Sequence, residues 1–234
     1  LNDDYGIPDY MSSLETMWED GQMKVVHGVG YPDQNLSHFR SSDIWASASD
    51  TDEVVGSGWL GRHFENEFPD FIITPPDAPP AIQIGSIGNL IFDGSEGTGY
   101  SFSVSNPEQL YQIAQNGWLH DVENLPDCYF GDQVGFLRGI ANTTFLYANV
   151  INEAYTNSTN SVEYADSELG NQLAIVARLI KGGLDTKVYM VTLNGFDTHA
   201  NQVDLHQSIM TDLADSVSLF YQDLTDGNVA EDVL

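Results

Sequence analysis

Residues 187–193, KVYMVTL, constrain the fold more than any other stretch. After its leading lysine the run is apolar on both faces, with only Thr192 polar. A strand of that kind belongs inside a parallel sheet covered on both sides, not at a half-solvated surface. Parallel strands need long crossovers, and helical patterns supply them. Ile7, Met11, Leu14 and Met17/Trp18 recur at helical spacing before Gly21. Further helices are expected at about 36–49, 58–68, 106–117, 132–155, 166–181 and 201–224. The longest should bury Phe136, Ile140, Phe145, Val150 and Ile151. Gly182-Gly183 stops the helix before the apolar strand. The expected fold class is therefore α/β: a mostly parallel central sheet flanked by helices, in one domain over 1–234.

Three smaller readings complete that expectation. Residues 23–30, MKVVHGVG, read as a short strand following the first helix. Five of the nine prolines fall in 69–81, so that stretch is a crossing loop. Glycine-separated β-like runs at 81–105 read as a small hairpin or meander insert. Helix–turn–strand at one end is half of a βαβ unit, and AEDVL at the other reads as a strand just beginning. The chain is thus expected to be part of a longer protein that lacks its first strand here.

The charge balance limits partners. Thirty-five acids face seven bases, a formal net charge of −28. Such a chain repels phosphate backbones and anionic bilayers, so nucleic acid and membrane surfaces are set aside. The acids are scattered; they serve solubility, or some of them hold cations. Cys128 is the lone cysteine, so no internal disulfide exists and a passive thiol is expected. No basic-plus-apolar leader opens the chain and no run approaches a membrane span.

The chemistry-bearing residues gather after the apolar strand. Asn194-Gly195 ends it, and Asp197, His199 and His206 follow within a dozen positions. Ligands of open α/β sheets sit at the carboxyl ends of strands, and carboxylate with imidazole is a zinc-type ligand set. His206 falls on the expected inward stripe of Val203, Ile209/Met210, Leu213, Val217, Phe220 and Leu224. Two readings stand: a metal site, or a turn-capping Asp with a satisfied core histidine. Ser37 and His38 likewise follow a strand and open a helix, where a dipole attracts anions. Ser37 is a nucleophile or simply an N-cap. Arg40 lies nearby, and Arg62 and His63 either face an anion or lie on a helix surface. His27 and His120 have no partner legible in the sequence.

The stretches VVHGVGYPDQNLSHFRSSDIW, GSGWLGR and LNGFDTHANQ with its following LH resemble a bacterial family, domain of unknown function 1501. That family is sulfatase-like and placed in the alkaline phosphatase superfamily, and the likeness spans nearly the whole chain. The resemblance implies an alkaline-phosphatase-like sheet with two divalent metals near the strand ends, zinc, manganese or calcium. It implies hydrolysis of a small phosphate or sulfate ester, or of a sulfated glycan, in the periplasm or outside a bacterial cell. By the resemblance Asp197, His199 and His206 are metal ligands, and Ser37 and His38 are catalytic. The family's Gly-Gly-Asn-Asp-like turn and its later Asp-His-Gly motif are absent from these residues. The chain alone is therefore expected to bind metal weakly and to hydrolyse neither ester. The alternative is a non-catalytic exported binding or surface-assembly protein on the same fold.

Overall fold

The computed structural model describes residues 5–85, 88–122 and 124–234, without the side chains of 113 and 114. Three parallel strands form the sheet: β1 (Ala81–Ile84), β2 (Ser101–Val104) and β3 (Val188–Met190), in the order β2-β1-β3. Ile82 lies beside Phe102 on one neighbour and beside Tyr189 on the other. The expected hairpin insert at 81–105 is thus corrected: its two runs pair in parallel and are two thirds of the central sheet. Ser86 and Ile87 of that stretch lie outside the described residues. Every residue of β1 is buried, so its AIQI is the middle strand. Gln83, 5% exposed, is tolerated there because its amide donates to Ser101 Oγ at 2.7 Å.

The proline-rich run delivers β1 to β3 through its carbonyls. Proline donates no N–H, but Pro80 O accepts from Lys187 and Val188 N, and Pro79 O accepts from Thr186 Oγ1. Among the described residues seven α-helices accompany the sheet: α1 (Glu15–Glu19), α2 (His38–Ser47), α3 (Trp59–Glu67), α4 (Pro107–Asn116), α5 (Tyr129–Thr156), α6 (Glu168–Lys181) and α7 (Gln202–Asp226). Their starts follow capping chemistry. Asn106 Oδ1 accepts from Glu108 and Gln109 N ahead of α4, with Pro107 at the first helical position. Ser167 Oγ accepts from Gly170 N ahead of α6.

The main core joins β1 and β2 to α3, α5 and α6 through Phe64, Phe92, Val104, Tyr147, Ile151 and Leu179. Phe102 meets Tyr147 edge-on at 5.9 Å, and Phe71 lies 4.9 Å from Tyr100. A second cluster packs Met11 and Leu14 against Ala214, Met210 and Val217 of α7, with Met23 at its margin. That anchorage explains a failed strand. Residues 23–30 form no ladder among the described residues; beyond Met23 the chain bends at Gly28, φ +69°, with Val26 and Val29 exposed. The chain end forms a 3-10 turn at Ala230–Asp232, not a strand.

Two expected burials are also reversed. Phe136 and Ile140 of α5 are exposed, while Ile151 is buried as expected. The reason is a glycine face. Gly131, Gly135 and Gly139 recur every four residues; a Cβ on them would strike Pro126 O at 1.8 Å, Leu125 Cδ1 at 2.6 Å and Ile72 Cγ2 at 2.8 Å. The 125–126 loop and Ile72 press on that side, so the bulky side chains turn outward. None of the helices among the described residues is long and apolar enough to cross a membrane.

Candidate functional site

A polar network builds the loop that carries Ser37. Tyr31 OH accepts from Asn35 N at 3.1 Å and lies 2.7 Å from Ser41 Oγ, which donates to Asn35 O at 2.6 Å. Asn35 Oδ1 accepts from Ser37 N at 2.8 Å. These bonds hold Ser37 at the N-cap of α2, where its Oγ accepts from Arg40 N across a long 3.5 Å. His38 then opens the helix.

The second arm follows β3. Gly195 turns the chain at φ +100°, a conformation costly for any side chain, and a Cβ there would lie 3.1 Å from Ile209 Cδ1. Thr198 N bonds Phe196 O and His199 N bonds Asp197 O, curling the loop tightly. The stretch feeding that loop is fixed by a side chain the sequence reading missed. Gln172, 7% exposed on α6, donates from Nε2 to Thr192 O at 2.9 Å and accepts from Thr192 N at 2.8 Å. The amide thus stands in for a neighbouring strand. Its only signal in the sequence was a polar residue inside the apolar stripe of Leu169, Leu173 and Val176.

The two arms meet. His199 Nε2 lies 2.9 Å from both carboxylate oxygens of Asp197, and His38 Nε2 lies 3.6 Å from Asp197 Oδ2. One carboxylate therefore stands between two imidazoles drawn from opposite ends of the chain. It can orient the His199 ring by a hydrogen bond, while His38 at 3.6 Å stands beyond hydrogen-bond reach of it. The side chains are open to water, at 78%, 55% and 83% exposure for His38, Asp197 and His199.

His206 does not join them. It sits in the second turn of α7, exposed, as are Val203 and Leu205. The inward stripe of α7 starts only at Ile209/Met210, because β3 ends at Met190 and leaves no sheet for the first two turns to cover. The expectation that Asp197, His199 and His206 converge is thus corrected. Among the described residues no group of three or more His, Cys, Asp or Glu is arranged to hold a metal ion. A zinc-type centre takes at least three side-chain ligands with water completing the shell, and no such set is gathered among the described residues, so the donors here do not fit one.

The basic residues expected near an anion have other partners. Arg40 donates to Thr51 O at 3.2 Å and to Glu53 O. Arg62 donates to Ser57 O and Ser47 O, both at 2.8 Å. His63 pairs with Glu67 on the surface of α3, His27 stacks on Tyr5 at 4.7 Å, and the ring of His120 lies 5.5 Å from Trp118. Cys128 is an exposed free thiol at the N-cap of α5.

The most engaged ionic site lies elsewhere and was not foreseen. Asp223 is fully buried and accepts from Asn160 Nδ2, Ser161 N and Oγ, Tyr164 OH and Lys181 Nζ. Burial pushes this carboxyl up, but the bonds from Asn160, Lys181 and Ser161 outweigh it and hold it at about 2. Burial and the Asp223 charge together push the Tyr164 hydroxyl up.

Comparison of the chain with protein-family models, with curated proteins and with solved structures returns no match.

Replacing Gln172 with alanine leaves Thr192 N–H and C=O without partners. The expected cost is about 1–3 kcal/mol in a urea titration, with larger line widths for the His199 ring signals than for those of His63. Unchanged stability would remove Gln172 as the support of the Asp197 loop.

Proposed function

We propose that the chain is a hydrolase-like protein of the alkaline phosphatase superfamily type, recognising a small phosphate or sulfate ester where its two polar arms meet. The observation that carries this reading is the approach of His38 to the Asp197–His199 pair. It brings together two of the three stretches on which the family resemblance rests. In this reading the Ser37 oxygen bonds to the ester's phosphorus or sulfur as the ester's alcohol leaves. His38 takes up the Ser37 proton and returns a proton to the departing alcohol, and water then releases the anion from Ser37. Asp197, hydrogen-bonded to His199, closes on His38 when the ester is bound. The net charge of −28 favours a small ester over a polyanionic glycan. The proposal includes export to the bacterial periplasm or beyond.

Because the donors present do not fit a metal centre, no step is routed through one. Binding where the two arms meet is the direct test of the reading. The test is a titration with vanadate and with sulfate, followed by the histidine ring signals in NMR, in wild type and in Asp197→Asn. His38 and His199 should shift, with His27, His63, His120 and His206 still, and Asp197→Asn should alter the response. Equal shifts at all six histidines, or none at His38 and His199, would overturn it. The high exposure of those side chains favours a second reading, a binding or surface-assembly protein on the same scaffold. Anion binding without turnover of p-nitrophenyl phosphate or p-nitrophenyl sulfate would support that one.

A further inference from the structure

The first half of α5 is built inside out. Its buried positions are glycines, Gly131 and Gly139, while Tyr129, Phe130, Phe136, Leu137 and Ile140 are exposed. At 100° per residue the exposed side chains fall on the side opposite the glycine face. Phe130 and Leu137 continue through Ala141 and Thr144 into a groove of about 260 Å³ lined also by Gly117, Trp118, His120 and Phe145. Trp118 itself is 68% exposed. An apolar ridge running into a pocket large enough for one bulky side chain is what a helix-binding surface presents.

The charge around the ridge selects the occupant. The described residues from 107 to 145 carry Glu108, Asp121, Asp127 and Asp132 against one base, Arg138. Arg138 is already engaged, donating to Asp121 O at 2.7 Å. Asp127 and Asp132 flank Tyr129 and Phe130 and are exposed. A second copy would bring a like-charged rim and a net −28 onto its equal, and an anionic bilayer is repelled for the same reason. We propose that the ridge formed by the first half of α5 and Trp118 is the docking face for a cationic amphipathic helix of a partner protein. The partner's apolar stripe lies along Phe130 and Leu137, one large side chain enters the groove, and its lysines or arginines face the acidic rim.

The probe is a synthetic 18-residue helical peptide with leucine on one face and lysine on the other, studied by calorimetry with the full chain. Controls are the same peptide with glutamate for lysine, and with serine for leucine. Both controls should bind at least about tenfold more weakly, and affinity for the lysine–leucine peptide should fall as salt rises. The double variant Phe130→Ser/Leu137→Ser should lose at least about tenfold while its melting temperature holds, because both side chains are already in water. Val26→Ser/Leu36→Ser, exposed elsewhere, should bind as wild type. Equal binding by the two double variants would show unspecific attraction and overturn the proposal. So would a dimer in sedimentation that Phe130→Ser/Leu137→Ser dissociates, or binding to zwitterionic lipid vesicles that this variant abolishes, each naming a different occupant.

Discussion

Asp223→Ala should destabilise the fold by about 3–5 kcal/mol, because it strands the Lys181 ammonium in a buried site. Lys181 is 8% exposed and Asp223 not at all, so water cannot take over the lost contacts. The change also removes the acceptor of Asn160, Ser161 and Tyr164, which pin the 157–164 connection to α7. Asp223→Asn should recover part of the loss, since the amide oxygen keeps some of these bonds without the charge. The same group gives an acid signature. Its folded pKa of about 2 lies below the ordinary aspartate value, so its stabilisation is complete above about pH 4. It is lost as pH falls toward 2, a change of about 2 kcal/mol by linkage. Urea midpoints from pH 5 down to pH 2 test this: wild type should lose that increment and Asp223→Asn should lack it. A parallel pH profile in the two proteins would refute the charge assignment.

Gly61→Ala should cost about 3 kcal/mol, although alanine is the better helix former by about 1 kcal/mol. A Cβ at 61 would lie 2.2 Å from Asp93 O and 2.3 Å from Asp93 C, and backbone cannot swing aside as a side chain can. Gly58 is in the same position, 2.1 Å from Leu90 O. The two glycines let α3 lie directly on the 3-10 turn Leu90–Phe92, with Gly58 N bonded to Asp93 O at 2.8 Å. Chemical denaturation of Gly61→Ala beside Glu67→Ala, exposed on the same helix, separates contact from propensity. A gain in stability for both would show that the turn yields. The stretch GSGWLGR is therefore explained by packing, its arginine included.

Helices were legible from the sequence because capping and stop signals are local: Asn106 with Pro107, Ser167, Gly182. The strand at β3 was legible because an apolar run needs only its own residues to declare itself, but its place was not: it is a three-residue, half-buried edge strand, and the covered middle position belongs to β1. What failed was partnership. AIQI and SFSV looked like a hairpin because nothing in them states that β3 lies alongside, and pairing direction is set by the whole sheet. The inward face of α7 was read correctly from Met210 to Leu224, but periodicity does not say how far the sheet beneath it extends, so His206 was placed inside. The α5 error has the same form: a periodic apolar stripe was assigned to the core, while the glycines that decide which side is buried were given no weight. In the candidate site the sequence located Ser37, His38, Asp197 and His199 by position after apolar runs. It could not show the support from Gln172, whose two bonds go to backbone.

Five of the seven cations, Arg40, Arg62, Arg138, Arg178 and Lys181, donate to main-chain carbonyls. Arg178 does so while stacked 3.4 Å over the ring of Tyr155. They act as clamps on loops, and only Lys181 among these five also reaches a buried carboxylate. With 35 acids against seven cations, most of the negative charge has no equal positive charge to balance it, and the folded surface works against its own compactness. Dissolved ions must supply the missing countercharge. At about 0.01 M salt the repulsion reaches across roughly 30 Å, and at 1 M it is confined to roughly 3 Å. The clamps hold the loops at any ionic strength, whereas the surface as a whole relaxes only in brine.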